Sequence, residues 1–206
     1  MNNVSVAIVE TSTSNSQSVL RAFNRLNVVT ELVSNPKKLT NYSHVVIPGV
    51  SRFDVLMKEL DSLDLISELE IAKTNGKAIL GLCAGMQVMG KSSEESPGSR
   101  GLNWFDFHVQ KIESSVDKNV RNFHTGWNDV VDSGNELPST LSGCYYFNHS
   151  YFVNIFSPTE VIGITVNHGS ISAIIKRDNI IGAQFHPEKS QKDGLKFLEA
   201  FTKMPT

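Results

Sequence analysis

Short unbroken apolar runs alternate with amphipathic stretches through the first half of the chain, the pattern of strands buried on both faces with helices laid across them. Val4 to Val9 reads as a strand, and Ser14 to Leu26 as a helix with Val19, Leu20, Phe23 and Leu26 on one face. Val28 to Val33 and His44 to Ile47 follow as strands. The region from Arg52 to Asn75 is helical with an interruption near Asp61 to Asp64, and Ala78 to Leu82 is again a strand. Such an order implies right-handed crossovers and a parallel sheet whose reactive edge lies at the strands' C-terminal ends. The second half changes character. Short strands dominate from Trp104 to Gln184, with breakers at Ser133-Gly134-Asn135, Pro138, Gly143, Pro158 and His168-Gly169, which predicts antiparallel strands added to the sheet. A closing helix from Gly194 to Phe201 carries Leu195, Leu198 and Phe201. The expected fold is α/β, mainly parallel at the centre and flanked by helices, in one domain over residues 1–206.

At the end of the apolar run Ala78-Ile79-Leu80 the chain reads Gly81-Leu82-Cys83-Ala84-Gly85-Met86-Gln87 and turns helical. A strand entering a helix through Gly-x-Cys-x-Gly resembles a nucleophile elbow, with the sulfur presented at the sheet edge. The flanking glycines are expected to permit the sharp turn without Cβ clashes, and the helix beginning at the cysteine to favour thiolate over thiol. The backbone N–H of Ala84 would then point at an oxyanion formed when the sulfur attacks a carbonyl. Alone, a small apolar cysteine is as readily a core residue.

A thiolate nucleophile requires a general base. Another apolar run, Asn179 to Ala183, leads into Gln184-Phe185-His186-Pro187-Glu188-Lys189, so His186 also falls at a strand end. Pro187 fixes the local backbone, and Glu188 can turn back to set the imidazole's tautomer and stabilise its charged form. Cys83, His186 and Glu188 make a plausible triad.

Composition agrees with an enzyme of one core: 206 residues, 40% hydrophobic, with a net charge of −2 that gives no reason to expect a nucleic acid. The cysteines, Cys83 and Cys144, suggest neither a disulfide framework nor a zinc site, and Cys144 reads as a packed thiol. His44, His108, His124 and His168 lack metal-ligand spacing, so neither a metal nor another cofactor is expected. No basic segment followed by a long apolar stretch opens the chain and no run could span a membrane, so a cytoplasmic location is expected.

Together, Gly81 to Gln87 and His186-Pro187-Glu188 resemble the signature of the class I glutamine amidotransferases, and the resemblance implies that Cys83, His186 and Glu188 form a glutaminase triad. It extends along the chain to the glutaminase subunit of imidazole glycerol phosphate synthase, the HisH type. Val45-Val46-Ile47-Pro48-Gly49-Val50 resembles that family's strand and oxyanion turn, which implies oxyanion roles for Gly49 and Val50 beside Ala84. Phe123-His124-Thr125-Gly126-Trp127-Asn128 resembles its partner-facing segment, and Lys189 its contact to the acceptor subunit. Tyr146 to Tyr151 resembles the strand that lines the glutamine pocket. By this resemblance Gln87, His149, Ser150 and Tyr151 bind glutamine, while Trp127, Asn128 and Lys189 face a partner.

That partner is implied to be a (β/α)8-barrel cyclase of the HisF type, which receives ammonia and forms imidazole glycerol phosphate and an aminoimidazole carboxamide ribotide. Three rivals stand beside it: a related glutaminase feeding sugar amidation in surface polysaccharide synthesis, a cysteine hydrolase of a related α/β type, and an inactive binding or regulatory module on the same scaffold. The chain departs from the family in two places. Ser12 and Ser14 stand where relatives carry turn glycines, so a loop of altered or strained shape is expected. Ser51 stands for a glycine after the oxyanion turn and is expected to cap the next helix.

Overall fold

The computed structural model describes residues 4–113, 122–135, 137–155, 158–165 and 171–206. The chain begins β1 (Ser5–Val9), α1 (Ser16–Asn24), β2 (Val29–Val33), β3 (His44–Gly49), α2 (Phe53–Ser62), α3 (Leu65–Thr74), β4 (Ala78–Cys83) and α4 (Ala84–Gln87). It continues through β5 (Ser92–Ser93), β6 (Phe107–Lys111), β7 (His124–Asp132), β8 (Gly143–His149) and β9 (Tyr151–Ile155). It closes with β10 (Val161–Thr165), β11 (Ile171–Arg177), β12 (Ile180–Ala183) and α5 (Gln191–Thr202).

Among the described residues one sheet has nine strands in the order β2-β1-β3-β4-β12-β11-β10-β7-β8. From β2 to β12 neighbours run parallel, and from β12 to β8 they run antiparallel. The parallel part has the doubly wound order of flavodoxin-like folds, in which ligands gather at the strands' carboxyl ends. The added antiparallel portion is also present, as expected; the His168-Gly169 turn lies outside the described residues. A second sheet of three strands, β5-β6-β9, was not legible in the sequence. Its first strand has only two residues, too short for an alternation to be read.

Period-two alternation along the strands sorts side chains onto two layers. On β1, Val6 and Ile8 pack with Val19 and Phe23 of α1 and with Phe197, Leu198 and Phe201 of α5. Ala7 and Val9 face the other way, into a layer with Phe53, Leu56 and Leu60 of α2 and Leu65, Leu69 and Ala72 of α3. Each fully buried large side chain contributes about 1.5–3 kcal/mol, so helices on both faces hold the sheet's edge geometry rigid. The predicted interruption of the long helix falls at Asp64, which adopts a left-handed φ of 55°.

Both departures from the family resolve locally. Ser51 does not cap α2: Arg52 occupies the cap position, one residue too late for the Ser51 hydroxyl to reach the helix, and Ser51 Oγ is buried without a partner. The Phe53 N–H donates instead to Glu95 Oε2 at 2.9 Å. The loop at Ser12 and Ser14 has no residue with positive φ, so it avoids the strain that glycine-type backbone would impose. It is tied down by Glu59, which accepts hydrogen bonds from Ser12 and from Thr13.

The glycines around Cys83 serve the need their spacing suggests, a turn free of Cβ clashes, and not a left-handed backbone. Neither Gly81 nor Gly85 has a positive φ. They are small because β3, β4 and α4 touch there: a Cβ on Gly85 would lie 1.8 Å from Ile47 O, and one on Gly81 would lie 2.6 Å from Gly85 O. Gly85→Ala is therefore expected to destabilise the protein by about 3 kcal/mol or more in urea unfolding. Gly76→Ala, in a left-handed turn open on all sides, is expected to cost only about 1 kcal/mol. Equal losses would show that the elbow is not tightly packed.

Candidate active site

Parallel pairing of β3, β4 and β12 brings Gly49, Cys83 and Ala183 to one edge of the sheet, with Gly49 directly beside Cys83 in the register. Cys83 itself takes the turn, at φ 53° and ψ −108°. A non-glycine residue held there stores about 1–3 kcal/mol of strain, maintained by the packing around it. The helix after it spans only Ala84–Gln87, a single turn, so the axial dipole expected to support a thiolate is short. The charge partner is a side chain instead.

His186 and Glu188 sit on a turn clamped to β8. The His186 N–H donates to Tyr146 O at 2.9 Å. Ser190 Oγ accepts from Tyr146 N–H at 2.9 Å and donates to His186 O at 2.6 Å. Pro187 opens the one-turn helix Pro187–Lys189 that swings Glu188 back beneath the imidazole. His186 Nδ1 meets Glu188 Oε1 at 2.9 Å, which leaves the other ring nitrogen to act on Cys83.

Both triad partners are almost dry, with side chains 4% and 1% exposed for His186 and Glu188. Burial opposes charge on the imidazole, yet the neighbouring Cys83 sulfur and then Glu188 push its pKa well above the ordinary histidine value. Burial likewise acts to raise the Glu188 carboxyl, but the hydrogen bond and charge of His186, with the amide of Asn15, hold it below the usual carboxylate range. Asn15 Nδ2 donates to Glu188 Oε1 at 3.0 Å. A sulfur and an imidazolium in this arrangement can attack a carbonyl and protonate its leaving group.

A cavity of about 800 Å³ opens above the sulfur. Of the residues singled out in the sequence, Cys83, Ala84, Val50, Gln87, His149, Ser150, Tyr151, His186 and Lys189 line it. Gly49 lies behind them, against Ala84 and Gly85. Gln87 Nε2 donates to Tyr151 O at 2.9 Å. His149 Nδ1 bonds the same carbonyl at 2.9 Å and its Nε2 meets His124 Nδ1 at 3.0 Å.

Trp127 and Asn128 stand apart from the cavity on opposite faces of β7. Trp127, 46% exposed, packs edge-on to Tyr146 on the neighbouring strand, and Lys189 Nζ lies over the same Tyr146 ring. Asn128 turns inward to bond His124. Cys144 is half-buried with a free thiol, whose pKa burial and then Asp129 push up. Among the described residues no group of three His, Cys, Asp or Glu side chains could hold a metal ion, and no helix is long and apolar enough to cross a membrane.

Sequence reasoning passed over Asn15, Ser190 and Gln184. Asn15 lies at the end of the altered first loop and Gln184 two residues before the histidine, so both stood in motifs already noticed without a stated role.

The charge balance at the histidine is directly measurable. Removing either negative neighbour destabilises imidazolium, so the His186 titration midpoint, followed by imidazole NMR, falls in both Glu188→Gln and Cys83→Ala, by about one pH unit or more. A midpoint unmoved in both variants would show that neither neighbour sets the charge.

The family model of class-I glutamine amidotransferases matches residues 7–204. The imidazole glycerol phosphate synthase subunit HisH of Streptococcus mutans is 35% identical over 199 residues, covering 95% of this chain and 97% of that protein. The HisH subunit of Lactiplantibacillus plantarum is 36% identical over 201 residues, covering 96% and 95%. Among solved structures, PurLQS from Thermotoga maritima superposes with a TM-score of 0.74 at 17% identity, covering 97% of each chain, a likeness of fold. With an elbow cysteine facing a histidine–glutamate pair, and with likeness along nearly its whole length, the chain belongs to the class-I glutamine amidotransferases, among their HisH-type members.

Proposed function

We propose that this protein is the glutaminase subunit of imidazole glycerol phosphate synthase, acting in histidine biosynthesis. It hydrolyses glutamine to glutamate and ammonia through Cys83, His186 and Glu188. The observation that carries the reading is the buried contact from Cys83 through His186 to Glu188 at the floor of the cavity.

Glutamine's side-chain amide lies beside Cys83, and the thiolate attacks its carbonyl carbon. Negative charge moves to the amide oxygen, held by the Ala84 N–H and the Gly49-Val50 turn; one such donor is typically worth about 10²–10³ in rate. The imidazolium of His186 protonates the departing nitrogen, the C–N bond breaks and ammonia leaves. His186, now neutral, takes a proton from water, whose oxygen attacks the thioester carbon. The C–S bond breaks, thiolate and imidazolium are restored, and glutamate departs. Throughout, Glu188 keeps the Nδ1 proton in place, and Asn15 holds Glu188.

Glutamine fits the cavity's polar wall: Gln87, Ser150 and Tyr151 line it beside the sulfur to meet its amino-acid end, while His149, both ring nitrogens engaged, holds the Tyr151 carbonyl in place. Ammonia released to water is protonated and lost as a nucleophile, so the product needs a protected route to an acceptor. We assign that role to a (β/α)8-barrel cyclase of the HisF type, docked on the face that carries Lys189 and the exposed Trp127, with Asn128 supporting that strand from its inner side. Partner binding is expected to accelerate glutamine hydrolysis by biasing the oxyanion turn.

Two predictions test this reading. With the barrel subunit present, Cys83→Ala abolishes glutamine-dependent product formation and added ammonium restores it; loss of both supplies, or retention of glutamine use, contradicts the assignment. Ser190→Ala frees the Tyr146 N–H and loosens the histidine turn, so it lowers stability by about 1–3 kcal/mol in denaturant unfolding. It also lowers kcat more than it raises KM; an unchanged kcat would show that the clamp does not position His186.

A further inference from the structure

A buried amide beside the nucleophile has no part in the triad. Gln184 is fully buried between the end of β12 and the triad turn. Its backbone N–H is bonded to Ala173 O at 2.9 Å, so the side chain leaves from a fixed point of the sheet. Gln184 Nε2 lies 3.8 Å from Cys83 Sγ, within reach of a hydrogen bond to the large sulfur atom.

Amide orientation decides whether that contact donates, and here it follows from a chain of obligatory roles. A peptide carbonyl can only accept, so Tyr151 O requires the NH₂ end of Gln87, 2.9 Å away. The second hydrogen of that NH₂ goes to Gln184 Oε1 at 3.3 Å. With its oxygen so engaged, Gln184 presents its own NH₂ to the sulfur. The other lone pair of Tyr151 O is taken by His149 Nδ1–H at 2.9 Å, which leaves His149 Nε2 to accept from His124 Nδ1–H at 3.0 Å. Gln87, Gln184, His124 and His149 are all buried, and reversing either amide would set two donors or two acceptors face to face.

We infer that Gln184 is a further catalytic residue of this glutaminase, donating an N–H to the Cys83 thiolate and holding the sulfur in place for attack. The inference rests on Cys83 being the nucleophile. His186 supplies the opposite charge and the proton for the leaving group, whereas Gln184 supplies a neutral donor that never transfers its proton. The sulfur therefore keeps one fixed partner when His186 gives up its proton to the departing ammonia. Gln87, besides facing the cavity, turns the Gln184 amide, so the two glutamines act as a pair.

The test is the pH profile of iodoacetamide alkylation of Cys83, which requires neither glutamine nor a partner. It is read in a Cys144→Ser background, so that the label reports one thiol. Gln184→Met keeps the length of the side chain without its donor, and Gln184→Glu keeps its shape with an acceptor in place of the donor. Both are expected to move the midpoint of alkylation upward by about one pH unit or more. In steady-state glutamine hydrolysis kcat falls about tenfold while KM stays within about twofold, because Gln184 touches the sulfur rather than the amino-acid end. Should the Met variant fail to fold, the Glu variant decides alone. Profiles that coincide with the parent's in the folded variants overturn the role of Gln184, provided Cys83→Ala is inactive. Glutamine hydrolysis surviving in Cys83→Ala would instead overturn the nucleophile on which the inference rests.

Discussion

The contact between the Cys83 sulfur and the His186 imidazole in a nearly water-free site is the interaction on which the rest of this structure depends. Placing two charges out of water costs several kcal/mol for each, and the attraction between them offsets that cost only if geometry is held closely. Cys83 and His186 come from strands far apart along the chain, and the parallel register of β4 with β12 is what sets them side by side. Glu188 and Asn15 then complete the charge balance from behind the ring. The short helix after Cys83 adds little, so the polar surroundings of the sulfur come mainly from neighbouring side chains.

Holding that geometry requires strain at one residue and crowding around it. Cys83 sits at a φ of 53°, where a side chain is disfavoured, and relaxation would withdraw the sulfur from the cavity. Relaxation is blocked because Gly81 and Gly85 let β3, β4 and the turn touch without a side chain between them. Helices packed on both faces of the sheet provide the burial that sustains this arrangement. On the opposite wall, β8 grips the histidine turn through Tyr146 and Ser190, and the same Tyr146 ring carries Trp127 and Lys189 toward the surface. One strand thus links the position of the base to the exposed face proposed for the partner.

Much of this was legible in the sequence for a physical reason. Buried parallel strands leave unbroken apolar runs, and the elbow and the His-Pro-Glu turn need particular residue types at fixed offsets, so both features survive as local patterns. Features that depend on contacts between distant segments left no such trace. The Glu95 carboxylate capping α2 lies far from Phe53 in the chain, while Ser51, the local candidate, is one position out of register. The glycines of the elbow and their purpose, a turn free of Cβ clashes, were visible, but the neighbour they make room for was not, since only the fold shows Ile47 pressed against Gly85. Gln184 was legible only as a polar residue beside a motif, and its orientation emerges from Gln87 and the Tyr151 carbonyl together.

The most direct measurement is covalent trapping. An electrophilic diazoketone analogue of glutamine, incubated with the chain and its barrel partner and followed by peptide mass spectrometry, should modify Cys83 stoichiometrically, and excess glutamine should protect it. Modification at Cys144, or a Cys83 thiol left unlabelled in an assembled complex, would contradict the account.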